Sequence, residues 1–379
     1  MIRTETLTLR KKLHKNPELS GFEFETANTI RKFIKKHHAT EIYENVGGTG
    51  LLAVYKYPKK GPSITIRCEL DALPIQEENA SKHCSVHKGV SHKCGHDGHM
   101  AIVSGLLFWI KEQKFNSGEI ILLFQPAEEN GKGAQRVVND PKFKNLKTDY
   151  VFALHNIPKE PLHQIIVLKK GFSAEVQSCI IKVKGKKCHA SEPENGINPA
   201  LGVSSLIKAI SDLEVTNPTE DNFALLTPVH IVMGQKAYGI SPENAELHYT
   251  IRAWSTEKMN ALKEKLQELV SVICKKYTID FYIEWLEYFP AAINHIEANK
   301  WVSNAAKDNH FSLTERPFPF KFGEDFGWFS KHYKTAMFGL GAGIETPALH
   351  HANYDFPDAI IETGMRMFQS ILLSILQQK

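Results

Sequence analysis

Between His83 and His99, 17 residues hold five of the chain's 18 histidines and two of its six cysteines. Uniform scatter would place about one histidine there. Imidazole and thiol groups packed this closely point to a transition-metal site, with Zn²⁺ the default. In Ser91-His92-Lys93-Cys94-Gly95-His96-Asp97-Gly98-His99, Cys94 and His96 stand two apart around a glycine. In an extended or turning segment that spacing lets both side chains face one point. Asp97 could then cap a following helix or accept the second N–H of a metal-bound imidazole. A Cys-x-His pair alone has many structural explanations. Further ligands would have to come from Glu128-Glu129, His155 and His350-His351.

The adjacent glutamates suggest a division of labour. Consecutive side chains on an extended backbone point in opposite directions. One carboxylate can then bind a metal while its neighbour faces a metal-activated water. Coordination lowers the pKa of water from 15.7 to about 7. A glutamate outside the coordination sphere can take its proton and later pass it to a leaving amine. The preceding Phe124-Gln125-Pro126-Ala127 reads as an apolar strand turning sharply, which favours a buried rim over two solvated glutamates.

These residues sit where an α/β sheet would position them. The first forty residues look helical, with a break at Asn16-Pro17. A strand is expected at Leu51–Tyr57. Three further runs each lead into a polar group. Ser63–Cys68 leads to Glu69 and Asp71, Glu119–Phe124 to Glu128 and Glu129, and Tyr150–Leu154 to His155. Gly98–Gln113 is apolar nearly all round and reads as a buried helix. Strand–helix alternation predicts parallel strands, whose carboxyl ends gather ligands. From Val176 to Trp285 the pattern is β-α-β-β-α-β, the ferredoxin-like order, with helices at Pro199–Leu213 and Thr256–Lys275. From about residue 290 the chain returns to mixed helix, loop and short strand.

With 379 residues, 42% of them apolar, the chain can bury a core without staples. A net charge of +4, from scattered Lys and Arg, gives little support to nucleic-acid binding. None of the cysteines forms a Cys-x-x-Cys pair, and no disulfide framework is expected. Met1–Leu13 has no apolar core of the signal-peptide kind, and Ala101–Ile110 is far shorter than a ~20-residue membrane span. A soluble, cytoplasmic protein is expected.

Several motifs, in order along nearly the whole chain, resemble the M20 metallopeptidase clan. The likeness is to its amidohydrolase branch of aminoacylases, hippurate hydrolases, indole-acetyl-amino-acid hydrolases and N-acetyldiaminopimelate deacetylases. They are His14-Lys15-Asn16-Pro17-Glu18-Leu19-Ser20, Asp71-Ala72-Leu73-Pro74-Ile75, Cys94-Gly95-His96-Asp97-Gly98-His99, Gln125-Pro126-Ala127-Glu128-Glu129, Gly323-Glu324-Asp325-Phe326 and Leu349-His350. The resemblance implies a zinc-hydrolase fold, with an α/β catalytic domain over 1–172 and 287–379. An inserted ferredoxin-like lid or dimerisation domain would span 173–286. It also implies two divalent ions (Zn, Mn, Co or Ni), bridged by Cys94 and completed by His96, Glu129, His155 and His350. Glu128 would be the general base and acid. Asp71 would orient a ligand, and His189 would stabilise the oxyanion, often from a partner subunit. A homodimer through the inserted domain would follow.

Three departures from the branch's pattern bear on the support of the metal ligands, on substrate recognition and on the loop carrying His189, in that order. Glu69 stands where the branch has Asp, Gly239 where it has Asn, and Lys187-Cys188 where glycine is common. The implied reaction is amide hydrolysis of N-acyl amino acids, with Arg252 the candidate for holding the substrate carboxylate. An interstrand ion pair is the plain alternative for Arg252. The rival activities are an M20 dipeptidase or carboxypeptidase, or a metal-binding paralogue without turnover.

Overall fold

The computed structural model describes residues 4–377. Met1–Arg3 of the N-terminal segment lie outside the described residues. Two units divide the chain. Unit one takes Met1–Phe172, Ala292–Pro319 and Glu324–Lys379; unit two takes Ser173–Ala291 and Phe320–Gly323.

Unit one opens with α1 (Thr4–Lys15) and α2 (Phe24–Lys35). Pro17 stands in the break, since proline bars the residue before it from helical geometry. Each helix buries one stripe, Leu9 and Leu13 in α1, Ile30 and Ile34 in α2. Then come β1 (Glu41–Val46), β2 (Gly50–Lys56), β3 (Lys59–Glu69), α3 (His96–Glu112) and β4 (Ser117–Gln125). Short helices α4 (Gly133–Asn139) and α5 (Pro141–Lys144) precede β5 (Tyr150–Ile157) and β6 (Ile165–Leu168). Unit two supplies β7 (Glu175–Lys184), α6 (Ala200–Ser211), β8 (Ala224–Met233), β9 (Asn244–Ala253), α7 (Thr256–Lys276) and β10 (Asp280–Phe289). Unit one resumes with α8 (Ile296–Asp308), β11 (Leu313–Arg316), α9 (Gly327–Ser330), β12 (Lys334–Gly341) and α10 (Ile361–Leu376).

The sheet of unit one has the order β1-β2-β4-β3-β5-β12-β6-β11. Its centre, β4-β3-β5-β12, is parallel. The sheet is nevertheless mixed rather than purely parallel. β1 and β2 form an antiparallel hairpin that pairs antiparallel with β4, and β6 runs against β12. The hairpin turns at Gly47 and Gly48, whose φ values of 63° and 131° suit glycine. α3 is buried along nearly its whole length, as its all-round apolar sequence requires, and packs against α1, α10 and β3. It begins at His96 rather than Gly98, with Gly95 as N-cap at φ 97°. Asp358–Leu376 is apolar and long enough to cross a membrane. Its Ile361, Met367, Phe368, Ile371 and Leu372 are buried in the core of unit one.

Unit two is a four-stranded antiparallel sheet ordered β10-β7-β9-β8. Its core joins sheet residues Ile181, Leu247 and Ile251 to Leu206 of α6 and Leu266 and Val270 of α7. The chain order is β-α-β-β-α-β. Residue 286 is not an edge of this unit: a bulge between Leu286 and Tyr288 lets β10 stay paired with β7 as far as Phe289. Phe320 adds a bridge to Ser173. All six cysteines are free.

Candidate metal centre

β3 and β4 end at Glu69 and Gln125, and β5 carries His155, so three neighbouring parallel strands deliver polar groups to one end of the sheet. The Cys94-Gly95-His96 turn enters α3 beside them. Two groups of possible ligand atoms share one sulfur. Cys94, His96 and His155 form one; Cys94, Glu129 and His350 form the other. Within each group the atoms lie within 4.8 Å of one another.

Backbone carbonyls set both imidazoles. His96 Nδ1 lies 2.9 Å from the Asp71 carbonyl oxygen, and His155 Nδ1 lies 2.9 Å from that of Asn156. A carbonyl only accepts, so each Nδ1 carries the proton and Nε2 faces the cluster. His96 Nε2 has no hydrogen-bond partner among the described residues. It stands 3.8 Å from Glu128 and 3.9 Å from Glu129. His155 Nε2 lies 3.5 Å from Cys94 Sγ. Glu129 Oε1 is likewise unpartnered, 3.8 Å from His350 Nε2. Buried polar atoms without partners are costly. Imidazole nitrogens, a thiol and carboxylate oxygens left facing one another are a donor set that fits divalent transition metals.

Electrostatics point the same way. Burial, with the charges of Glu324 and Glu129 next, holds the Glu128 carboxyl well above its usual range. Burial raises Glu129 to about 7, against the opposing pull of His96. Burial and the two glutamates also push the Cys94 thiol up. Cations at this place would reverse all three directions.

The glutamate pair does not lie on extended backbone. Glu128–Asn130 form a turn, closed by Gly131 N–H donating to the Glu128 carbonyl. Ala127 before it has φ 54°. Both carboxylates therefore come within reach of His96 instead of pointing apart. Asp71 stands beside His96, its Oδ1 3.5 Å from Nδ1. It holds His96 through its carbonyl, while its Oδ2 accepts from Glu129 N–H at 2.9 Å and Ser20 Oγ at 2.6 Å. Asp97 neither caps α3 nor accepts from a cluster imidazole. Its Oδ2 accepts from Arg10 and His14, each at 2.9 Å.

His350 is half-exposed at φ 65°, its N–H donating to the Lys93 carbonyl at 2.8 Å. His351 is exposed, and its Nδ1 accepts from Asn353 N–H. His83 pairs with Asp355, His87 is exposed, and His92 is buried. His189 and Arg252 belong to unit two. His189 is exposed, its Nδ1 accepting from Ser191 Oγ at 2.6 Å and from Ser191 N–H, which leaves Nε2–H free to donate. Arg252 donates to the Lys321 carbonyl at 2.7 Å rather than joining a carboxylate across the strands.

Two supporting residues, Glu23 and Arg67, carry no signal in the sequence, while a third, Asp325, lies in the Gly323-Glu324-Asp325-Phe326 motif. Glu23 accepts from Ala127 N–H, directly before the glutamate pair. Buried Arg67 bonds Glu69, Glu324, Asp325 and Gln125. Asp325 N–H stands 3.4 Å from Glu128 Oε1. Such long-range bonds leave no periodic trace in sequence.

The model of "Peptidase family M20/M25/M40" matches residues 65–374. The chain belongs to this family. It is 31% identical over 370 residues to the N-acetyl-L-cysteine deacetylase of Bacillus subtilis, covering 97% of this chain and 87% of that one. It is 30% identical to the hippurate hydrolase of Campylobacter jejuni, covering 97% and 96%. Among solved structures, a dinuclear metal-binding M20 peptidase from Bacillus subtilis matches with TM-score 0.86 at 26% identity, covering 99% and 98%. The matched M20 stretch holds every cluster residue from Glu69 to His350, while Glu23 and His14 precede it.

Proposed function

We propose that this protein hydrolyses the amide bond of N-acyl amino acids at a pair of divalent metal ions. The observation that carries the reading is the Cys94 sulfur shared by two ligand groups, one with His96 and His155 and the other with Glu129 and His350. Relatives named as deacetylases of N-acetyl-L-cysteine and N-acetyldiaminopimelate and as a hippurate hydrolase support the substrate class. The ions would be drawn from Zn²⁺, Mn²⁺, Co²⁺ and Ni²⁺, all compatible with thiolate, imidazole and carboxylate. They would supply Lewis acidity to the acyl carbonyl and to the attacking water.

The side chains do the rest. Glu128 takes a proton from the water as its oxygen adds to the acyl carbon. It returns that proton to the amine nitrogen as the C–N bond breaks, leaving a carboxylic acid and a free amine. Its environment, a buried carboxyl next to other acids, suits a proton carrier. Asp71 holds His96 and the Glu129 backbone. His189 Nε2–H is the proposed donor to the oxyanion, and Arg252 the proposed partner of the substrate carboxylate. We place the enzyme in the cytoplasm as a homodimer formed through unit two. The exposed Val229, Ile231, Val232 and Met233 on edge strand β8 support that interface.

The test is turnover of a panel of N-acetyl amino acids, hippurate, N-acetyldiaminopimelate and dipeptides by metal-reconstituted protein. Hydrolysis of N-acyl amino acids should be abolished by chelator and cut about 10²- to 10⁴-fold in Glu128→Ala. Faster cleavage of the dipeptides, or equal rates in Glu128→Ala, would contradict it.

A further inference from the structure

The residue before Cys94 is a lysine with no exposed surface. Burying an ammonium group is unfavourable unless charge and hydrogen bonds compensate. Lys93 Nζ donates to Glu77 Oε1 at 2.8 Å and to the carbonyl of Tyr354 at 2.7 Å. The Glu77 side chain is 3% exposed and is bonded by His14 Nε2 and Ser85 N–H as well. The pair is therefore fixed in place.

Lys93 grips the segment after β12 at two points. Its carbonyl accepts from His350 N–H at 2.8 Å, and its ammonium binds the Tyr354 carbonyl four residues on. At the first of these points the chain takes the left-handed φ of 65° at His350, a strained conformation that persists only where the surroundings enforce it. The Tyr354 hydroxyl accepts from Asn156 Nδ2 at 2.6 Å. His96 and His155 are set by other groups, the carbonyls of Asp71 and Asn156.

We propose that Lys93 is a positioning residue for His350, and so sets the Cys94–Glu129–His350 metal position while leaving Cys94–His96–His155 to its own supports. The inference rests on the two-metal reading. It adds to it that the two positions are held by separate scaffolds and can be weakened one at a time.

The test is a cobalt(II) titration of metal-stripped protein, following the thiolate-to-cobalt absorption of Cys94 and the bound equivalents. Wild type should take up two equivalents. Lys93→Met should take up one with affinity within about twofold of wild type, keeping thiolate absorption. The other should bind about 10- to 100-fold more weakly, the usual effect of losing a group that orients a ligand. Because Lys93→Met leaves Glu77 short of a cation, the same titration is run on Lys93→Met/Glu77→Gln, which removes both charges. The same one-site defect is expected. Two equivalents bound with wild-type affinity in either folded variant, or equal weakening of both, overturns the role of Lys93. A wild type that binds no cobalt overturns the two-metal reading together with it.

Discussion

Ala127 donates its backbone N–H to Glu23 Oε1 at 2.8 Å, although the two residues stand 104 positions apart. Glu23 is fully buried and also accepts from Gly21 N–H and the Thr49 hydroxyl, each at 2.7 Å. It thereby holds Ala127 at φ 54°, the conformation that aims Glu128 and Glu129. Glu23→Ala is expected to lower kcat about 10- to 100-fold, because small misplacements of a reacting group are costly. Bound metal and KM should stay near wild type. Glu23→Gln keeps the acceptor oxygen and should retain most activity. Steady-state kinetics with metal analysis checks this; a Glu23→Ala enzyme of unchanged kcat would refute it.

Gly95 makes the turn between Cys94 and His96 at φ 97°, and an added Cβ would stand 2.5 Å from Asn156 Oδ1. Gly95→Ala therefore combines backbone strain with overlap. A loss of about 2–5 kcal/mol is expected in urea denaturation, the sum of the strain and the overlap. Gly21→Ala is the control: its φ is 84° but nothing lies within 4 Å of the new Cβ. It should lose only the strain, about 1–2 kcal/mol. Equal losses at the two positions would show that Asn156 yields freely.

His14 links α1 to the base of the cluster through Asp97 and Glu77. Burial alone would depress its imidazole. The charge and hydrogen bond of Asp97 and the bond to Glu77 outweigh it, raising the pKa from 6.5 to about 10. A pKa raised by folding adds stability that is complete below the unfolded value and fades as pH climbs to the folded one. Stability should therefore fall between about pH 6.5 and pH 10. In His14→Gln that component should vanish, giving a flatter profile over the same window. Urea unfolding at several pH values measures it, and parallel profiles for the two proteins would exclude the pairing as the cause.

Much of this arrangement is legible in the chain, and for a physical reason. Buried parallel strands are continuous apolar runs, so Ser63–Cys68, Glu119–Phe124 and Tyr150–Leu154 stand out, and each leads to a group in or beside the cluster. The all-round apolar α3 announces its burial in the same way. The later strands are hidden. β12 carries Gly339 and Gly341, and β6 and β11 are four residues each, too short for a periodic signal. The turn at Glu128 reads as extended in sequence because an alanine in the left-handed region has no residue-type signature. Glu23, Lys93 and Arg67 escape notice because their partners are backbone groups and carboxylates far along the chain. Only folding brings them together.

The central claim is that one sulfur joins two metal positions and that amide hydrolysis depends on both. The most direct test measures bound zinc equivalents and N-acetyl amino-acid turnover side by side in wild type, His350→Ala and Cys94→Ala. Two equivalents with activity, one without activity, and loss of both in Cys94→Ala is the predicted series. A Cys94→Ala protein that keeps two tightly bound ions and hydrolyses the substrate at the wild-type rate would contradict it.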